Sequence, residues 1–312
     1  MTAMPPPSGP PAPYDTDLIV IGGGPAGCAA ARMAASVGMR SVVIEPDRLC
    51  RNLFRIPALN NVLGGHTSGP ELADAMTAEL NATELCRLAL GRRAVELRAT
   101  QDRVTVTLDD GAGLAAPYAV VATGVAPLRP DDVPWLTAAA GPAPSPLWRA
   151  KPGEVGGRTL LVLGGDRPVG TFLRAHPALD VRLLVAYPEP DAYKIEEVRG
   201  DPRVVPLPVQ QVTLRHGQGG AVAAEVTDGS GARRDLVADA AYLSLGSTPT
   251  APPGDLVRGP DGYCPPTAQH PRVVVAGDLR SARYQRIMTA LGSGAEAALR
   301  AYYAARELPA EW

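Results

Sequence analysis

The sequence predicts an α/β chain built from two βαβ units. Three observations carry that prediction. Residues 17–45 read as a buried strand (D-L-I-V-I), a glycine turn (G22-G-G-P-A-G27), a helix and a second strand (S-V-V-I-E). Residues 158–187 repeat the order: the strand R-T-L-L-V-L, a Gly pair, a helix near V-G-T-F-L-R-A-H and the strand V-R-L-L-V-A-Y. Two further apolar runs end in A122-T-G124 and in G277-D278. Runs that are apolar without alternation are strands covered on both faces, as in a parallel sheet.

The first turn carries a complete dinucleotide fingerprint. Its small residues fall at Gly22, Gly24 and Gly27, with Pro25 and Ala26 between the last two. Gly22 permits the tight turn, Gly24 lets a pyrophosphate approach the backbone, and Gly27 lets the helix pack on the sheet. The helix C-A-A-A-R-M-A-A-S-V-G closes at Gly38, and the second strand ends on Glu45, placed to bind ribose hydroxyls. Strand, turn, helix, strand and acid in this order make the signal specific; the glycines alone would not.

With the A-T-G and G-D strand ends, these motifs give a resemblance to the low-molecular-weight thioredoxin reductase family of two-domain FAD flavoproteins. The resemblance covers nearly the whole chain after the leader. It implies two Rossmann-like domains, the second inserted in the first. The FAD-binding domain would take residues 14–124 and 246–312, and the nicotinamide-type domain 125–245. Residues 1–13, rich in proline, read as a disordered leader. The resemblance makes FAD the cofactor. Ala122, Thr123 and Gly124 would close its first segment, and Gly277 with Asp278 would hold the ribityl chain. The segment Y284-Q-R-I-M-T-A-L-G-S-G is similar to the family's helix at the flavin pyrimidine, so Gln285, Arg286 and Ile287 join the cofactor set. The family has Arg-Gln where this chain has Gln285-Arg286. N60-N-V-L-G-G-H-T-S-G-P-E-L is similar to the stretch beside the isoalloxazine, with Asn61 matching its Asn. His66 falls in that loop and reads either as a solvated residue or as a catalytic group.

The second domain departs from the family. A dithiol relay needs two thiols in reach, and no cysteine lies between Cys86 and Cys264. The family's C-x-x-C position falls near P146-L-W-R149, where Trp148 is a candidate to line a substrate cavity. Aligned from Leu163, the second glycine turn reads L-G-G-D-R-P, with Leu163 at the turn glycine and Pro168 at the helix-packing position. The cationic pair expected after the next strand is replaced by A186-Y-P-E-P-D, whose Glu189 and Asp191 would repel a 2′-phosphate.

Composition narrows the function classes. A net charge of -2 over 312 residues leaves no basic footprint for nucleic acid. No apolar run approaches the roughly 20 residues of a membrane span. Cys28, Cys50, Cys86 and Cys264 lack zinc-ligand spacing, the four histidines are scattered, and no metal is expected. The expected activity is that of a cytoplasmic, homodimeric FAD-dependent oxidase or dehydrogenase. A small organic substrate would deliver electrons directly to the flavin, and molecular oxygen or a protein carrier would accept them. An alternative is a flavin enzyme fed by a donor such as ferredoxin, docking at Arg280, Arg283 and Arg286. A non-catalytic flavin redox sensor is a third reading.

Overall fold

The computed structural model describes residues 16–138, 144–217 and 220–308; the expected leader lies outside them. In chain order the elements begin with β1 (Leu18–Ile21), α1 (Pro25–Ser36), β2 (Ser41–Glu45), α2 (Gly69–Asn81), β3 (Cys86–Leu90), β4 (Ala94–Ala99), β5 (Val104–Leu108), β6 (Gly113–Ala116) and β7 (Tyr118–Val121). They continue through β8 (Val125–Pro127), β9 (Leu136–Ala138), β10 (Ser145–Pro146), α3 (Pro152–Val155), β11 (Arg158–Leu163), α4 (Pro168–Ala175), β12 (Val181–Pro188), α5 (Ala192–Ile195) and β13 (Val204–Val209). The last are β14 (Gln211–His216), β15 (Val222–Thr227), β16 (Arg233–Ala238), β17 (Ala240–Leu243), β18 (Ser247–Pro249), β19 (Val273–Val275) and α6 (Ile287–Ala305).

The chain divides into two units. The first takes the residues up to Arg51, Ala73–Val125 and those from Pro249 on; the second takes Asn52–Leu72 and Ala126–Thr248. Residues 52–72, assigned from sequence to the first domain, group with the second unit.

The first unit is layered around a parallel sheet of order β19-β7-β1-β2-β3. Strand alternation sends Ile19 and Ile21 to one face, where they join Val121 and Val275 and pack with Leu97, Val104 and Val106 of the antiparallel β4-β5-β6 sheet. The other face carries α1 and α6. These helices are alanine-rich on their buried sides (Ala26, Ala30, Ala31 and Ala34; Ala290, Ala297, Ala298 and Ala301), which lets their backbones come close. At the crossing a Cβ on Gly294 would overlap the carbonyl of Ala26.

The second unit repeats the plan. Its parallel sheet has the order β10-β17-β11-β12-β13. Leu160, Val162, Leu183 and Val185 pack on Val169, Phe172 and Leu173 of α4. Leu161, Leu163, Leu184 and Ala186 pack on Val212, Leu214, Ala224 and Val226 of the sheet β16-β15-β14-β9. Arg203 stops α4: its guanidinium donates to the carbonyls of His176 (2.7 Å) and Leu173 (3.4 Å) and pairs with Asp201 at 2.7 Å. Cations suit a helix C-terminus, where carbonyls lack intrahelical donors.

Leu163 therefore does not occupy the turn. It ends β11, fully buried against the four-stranded sheet, and the turn glycine is Gly164 with φ +94°. The apolar run carries no local mark of its last residue, so the sequence alignment slips by one. Pro168 is no defect either: it opens α4 as Pro25 opens α1. Proline suits a first helical turn, where its missing N–H has no intrahelical acceptor.

The α1–α6 crossing is testable with two glycines of α6. Gly294→Val should cost about 3 kcal/mol by overpacking, while Gly292→Ala, whose Cβ meets nothing within 4 Å, should stabilise by about 0.5–1 kcal/mol. Urea midpoints of the two variants check this; equal midpoints would mean the crossing is looser than described.

Candidate functional site

The glycine turn between β1 and α1 is fixed by backbone geometry. Gly22 sits at φ +104°, and a Cβ there would lie 2.5 Å from the Ala122 carbonyl oxygen. Its N–H donates to the Ile44 carbonyl at 2.8 Å, which keys the turn to β2. A Cβ on Gly27 would overlap the Gly22 carbonyl, so the helix meets the turn only through hydrogen. Gly24 is different. Its backbone is extended (φ -74°, ψ -177°), and a Cβ there would meet nothing within 4 Å. Its small size answers no need of the protein's own packing; it keeps open space over the N-terminus of α1, where N–H groups favour an anion.

Glu45 and the end of β7 complete the frame. Glu45 Oε2 accepts from Gly23 N–H at 2.8 Å, and Oε1 accepts from Asp47 N–H at 3.1 Å. Beside the turn, the Thr123 hydroxyl is buried without a hydrogen-bond partner. The carbonyls of Thr123 and Gly124 lie 2.8 and 3.0 Å from the Thr250 hydroxyl.

The third corner of the first unit is the end of β19. Gly277 N–H donates to Ser293 Oγ at 2.9 Å, and Ser293 Oγ donates to the Ala290 carbonyl at 2.9 Å, locking the Gly277–Asp278 corner to α6. A cleft of about 290 Å³ opens there, lined by Asp278, Ser281, Arg283, Tyr284 and Thr289 among others. The Gln285 side chain turns inward: its amide nitrogen donates toward the Tyr263 hydroxyl (3.2 Å) and the carbonyls of Ser281 (3.0 Å) and Asp278 (3.3 Å). It holds the 278–285 loop. Arg286 is the N-cap of α6, its N–H on Thr289 Oγ1 at 3.1 Å, and Ile287 is the first helical residue.

Asn61, His66 and Trp148 fall in the second unit. Asn61 is exposed. His66 Nδ1 is buried without a hydrogen bond, 3.7 Å from Glu71 Oε1. Hydrogen bonds from the Thr67 amide and hydroxyl (2.8 and 3.1 Å) hold the Glu71 carboxyl below the usual range, the amide contributing most. Trp148 lies in the 3-10 turn Leu147–Arg149, with guanidinium carbons of Arg149 at 5.0 Å and Arg55 at 5.7 Å from its ring centroid.

The second turn starts like the first and then diverges. Gly164 N–H donates to the Ala186 carbonyl at 2.7 Å, as Gly22 does to Ile44. Ser244 N–H donates to the Leu163 carbonyl at 2.7 Å, as Ala122 does to Ile21. So Gly164 matches Gly22, Pro168 matches Pro25 and Gly170 matches Gly27, with one extra residue in the loop. In place of Gly24 stand Asp166 and Arg167. Asp166 N–H donates to the Ser244 carbonyl and Ser244 Oγ donates to the Asp166 carbonyl, both at 3.1 Å, which draws the loop onto the end of β17. β12 is in register so that Tyr187 falls where Glu45 falls in the first unit. Tyr187 is buried, 3% exposed, and offers no carboxylate. Lys194 pairs with Asp191 at 2.9 Å.

The chain has a two-unit α/β fold whose first glycine turn keeps the geometry of a dinucleotide fingerprint. Residues 16–146 match the family model of pyridine nucleotide-disulphide oxidoreductases. The chain is 26% identical over 310 residues to the F subunit of alkyl hydroperoxide reductase in Pseudomonas putida, an alignment covering 92% of this chain and 57% of that protein. It thus spans little more than half of that relative's length. The corresponding Staphylococcus aureus protein is 29% identical over 113 residues, 36% of this chain and 22% of that one. Among solved structures, thioredoxin reductase of T. acidophilum superposes with a TM-score of 0.74 at 20% identity, over 93% of this chain and 99% of its own. That of Lactococcus lactis gives 0.76 at 18%, over 94% and 100%. These superpositions show the same two-unit α/β fold.

The open space at Gly24 separates folding from binding. Gly24→Val should keep the melting temperature of the cofactor-free protein within about 2 °C, because its Cβ touches nothing. The variant should purify without FAD. A yellow Gly24→Val protein would contradict this placement of the pyrophosphate.

Proposed function

We propose that this protein is an FAD-dependent oxidoreductase, an oxidase or dehydrogenase, that takes electrons from a small organic metabolite without NAD(P)H and without a thiol relay in its second unit. The observation that carries this reading is the contrast between the two turns. The first leaves space at Gly24 and ends its second strand on Glu45. The second closes Asp166 onto Ser244 and has the buried Tyr187 where the first has Glu45. A pyrophosphate at the second turn would meet a loop drawn onto the end of β17 in place of the open backbone at Gly24. The absence of cysteine between Cys86 and Cys264 removes the dithiol that the thioredoxin reductase pattern places in that unit.

When bound, FAD supplies two-electron redox chemistry. The chain does the rest. Gly22, Gly24 and Gly27 cradle the pyrophosphate at the N-terminus of α1, with Pro25 and Ala26 between them, and Glu45 accepts from the ribose. Thr123 presents its unpartnered hydroxyl from the end of β7. Gly277 and Asp278 hold the ribityl chain. The N–H groups at the start of α6 favour negative charge on the reduced ring. His66 and Trp148, both in the second unit, are the candidate substrate residues, and molecular oxygen or a protein carrier would accept the electrons.

Anaerobic stopped-flow mixing of the FAD-loaded protein with NADPH and with NADH tests the reading. The oxidised-flavin absorbance should persist through the seconds timescale with both, while a chemical reductant bleaches it. Rapid bleaching by sub-millimolar NADPH would sink the nicotinamide-free reading and leave a pyridine nucleotide reductase in its place.

A further inference from the structure

We propose that Cys28 and Cys50 form a dithiol site that a hydroperoxide closes to a disulfide, and that this closure loosens the glycine turn. The two cysteines are 22 residues apart, yet their sulfurs lie 3.7 Å from each other. Both are 1% exposed. Cys28 stands in the first turn of α1, and its Sγ also donates to the Gly23 carbonyl at 3.4 Å. Cys50 comes from the loop after β2. Its backbone is left-handed (φ 53°), a conformation that residues with a side chain seldom adopt. It is held there by its own N–H, which donates to the same Gly23 carbonyl at 2.8 Å. The half-buried Met76 thioether packs on Cys50, Sγ to Sδ 3.8 Å.

The geometry assigns the two sulfurs different parts. Cys28 Sγ keeps its proton on the Gly23 carbonyl, whereas the contacts of Cys50 Sγ are with Cys28 Sγ and the Met76 thioether. Cys50 is therefore the attacking atom and Cys28 the resolving one. Burial excludes a bulky disulfide oxidant and leaves a molecule little larger than water, such as hydrogen peroxide. The Cys50 sulfur attacks the peroxide, the O–O bond breaks, and one water leaves with Cys50 as sulfenic acid. The Cys28 sulfur then attacks Cys50 Sγ. It expels hydroxide, which takes the Cys28 proton and departs as the second water. Two thiols are oxidised to one disulfide, and one peroxide is reduced to two waters. The sulfurs must close to about 2.05 Å. Cys28 is fixed in a helix, so the movement falls on Cys50 and strains its N–H bond to Gly23.

Peptide mapping tests the site on the full-length, FAD-loaded protein. After reduction and desalting it is treated with hydrogen peroxide, alkylated under denaturing conditions and digested without reductant. A peptide joining Cys28 to Cys50 should accumulate and disappear with dithiothreitol, while Cys264 stays alkylatable. FAD affinity should fall about fivefold, as for the loss of one backbone hydrogen bond. The cross-link does not depend on the cofactor reading; only the change in affinity rests on it, so the two can fail separately. Cys28→Ser should leave Cys50 as a sulfenic acid that dimedone traps, and Cys28→Ala serves if the serine variant does not fold. If Cys28 and Cys50 both remain alkylatable, or Cys50 runs on to sulfinic acid in the wild type without a cross-link, the dithiol site is overturned. A disulfide that leaves FAD affinity unchanged overturns its coupling to the turn.

Discussion

The peptide group of Gly23 is tied from both sides, and the first unit is organised around it. Its N–H goes to the Glu45 carboxylate at 2.8 Å, and its carbonyl receives the Cys50 N–H at 2.8 Å. One bond joins the turn to the end of β2, the other to the loop beyond it. The carboxylate bond is charge-assisted, which makes it about twice as strong as a neutral one. Together they hold the turn against the second strand before any ligand arrives. On the proposed reading the acid has a second duty, since an oxygen that already accepts from Gly23 can accept again from a ribose.

The second unit shows which parts of this arrangement the fold itself needs. Gly164 keeps the positive φ of Gly22, and its N–H makes the same bond to the neighbouring strand. A proline opens both helices. Both parallel sheets bury their central strands on two faces. What differs is the open space at the Gly24 position and the terminal acid, whose hold on the turn the second unit replaces with the Asp166–Ser244 bonds. Asp166 and Ser244 close the loop on itself, and Arg203 satisfies the last carbonyls of α4.

Much of this is legible in the sequence because it is local. The spacing of Gly22, Gly24, Gly27 and Glu45 states strand, turn, helix and strand within one short segment, and the resemblance supplies the fold. The second turn is harder. A buried run such as R-T-L-L-V-L shows where a strand is but not its last residue, so the alignment begins one residue early. A single extra residue before Pro168 then hides the match of Gly170 to Gly27. The inward turn of the Gln285 amide depends on Tyr263, 22 residues away, and no pattern in 284–287 announces it. The Cys28–Cys50 contact escapes the sequence for the same reason, although a signal exists. One cysteine directly follows Gly27 and the other lies five residues past Glu45, so the βαβ geometry already places both beside the turn.

That placement also decides what the thiols are for. As proposed, the glycine turn would hold the pyrophosphate end of the cofactor, whereas electrons would leave and arrive at the flavin ring. On the proposed reading the ring lies at the start of α6. Ile287 opens that helix, and Gly294, where it crosses α1 at Ala26, comes seven residues later, about 10 Å along the axis. The two sulfurs sit at Gly23 and the loop after β2. A dithiol at the turn is thus badly placed to relay electrons from the ring and well placed to sense an oxidant and alter cofactor retention. The thiol chemistry missing from the second unit is not recovered by this pair. On the proposed reading the two cysteines act on whether the cofactor is held, and the substrate meets the flavin directly.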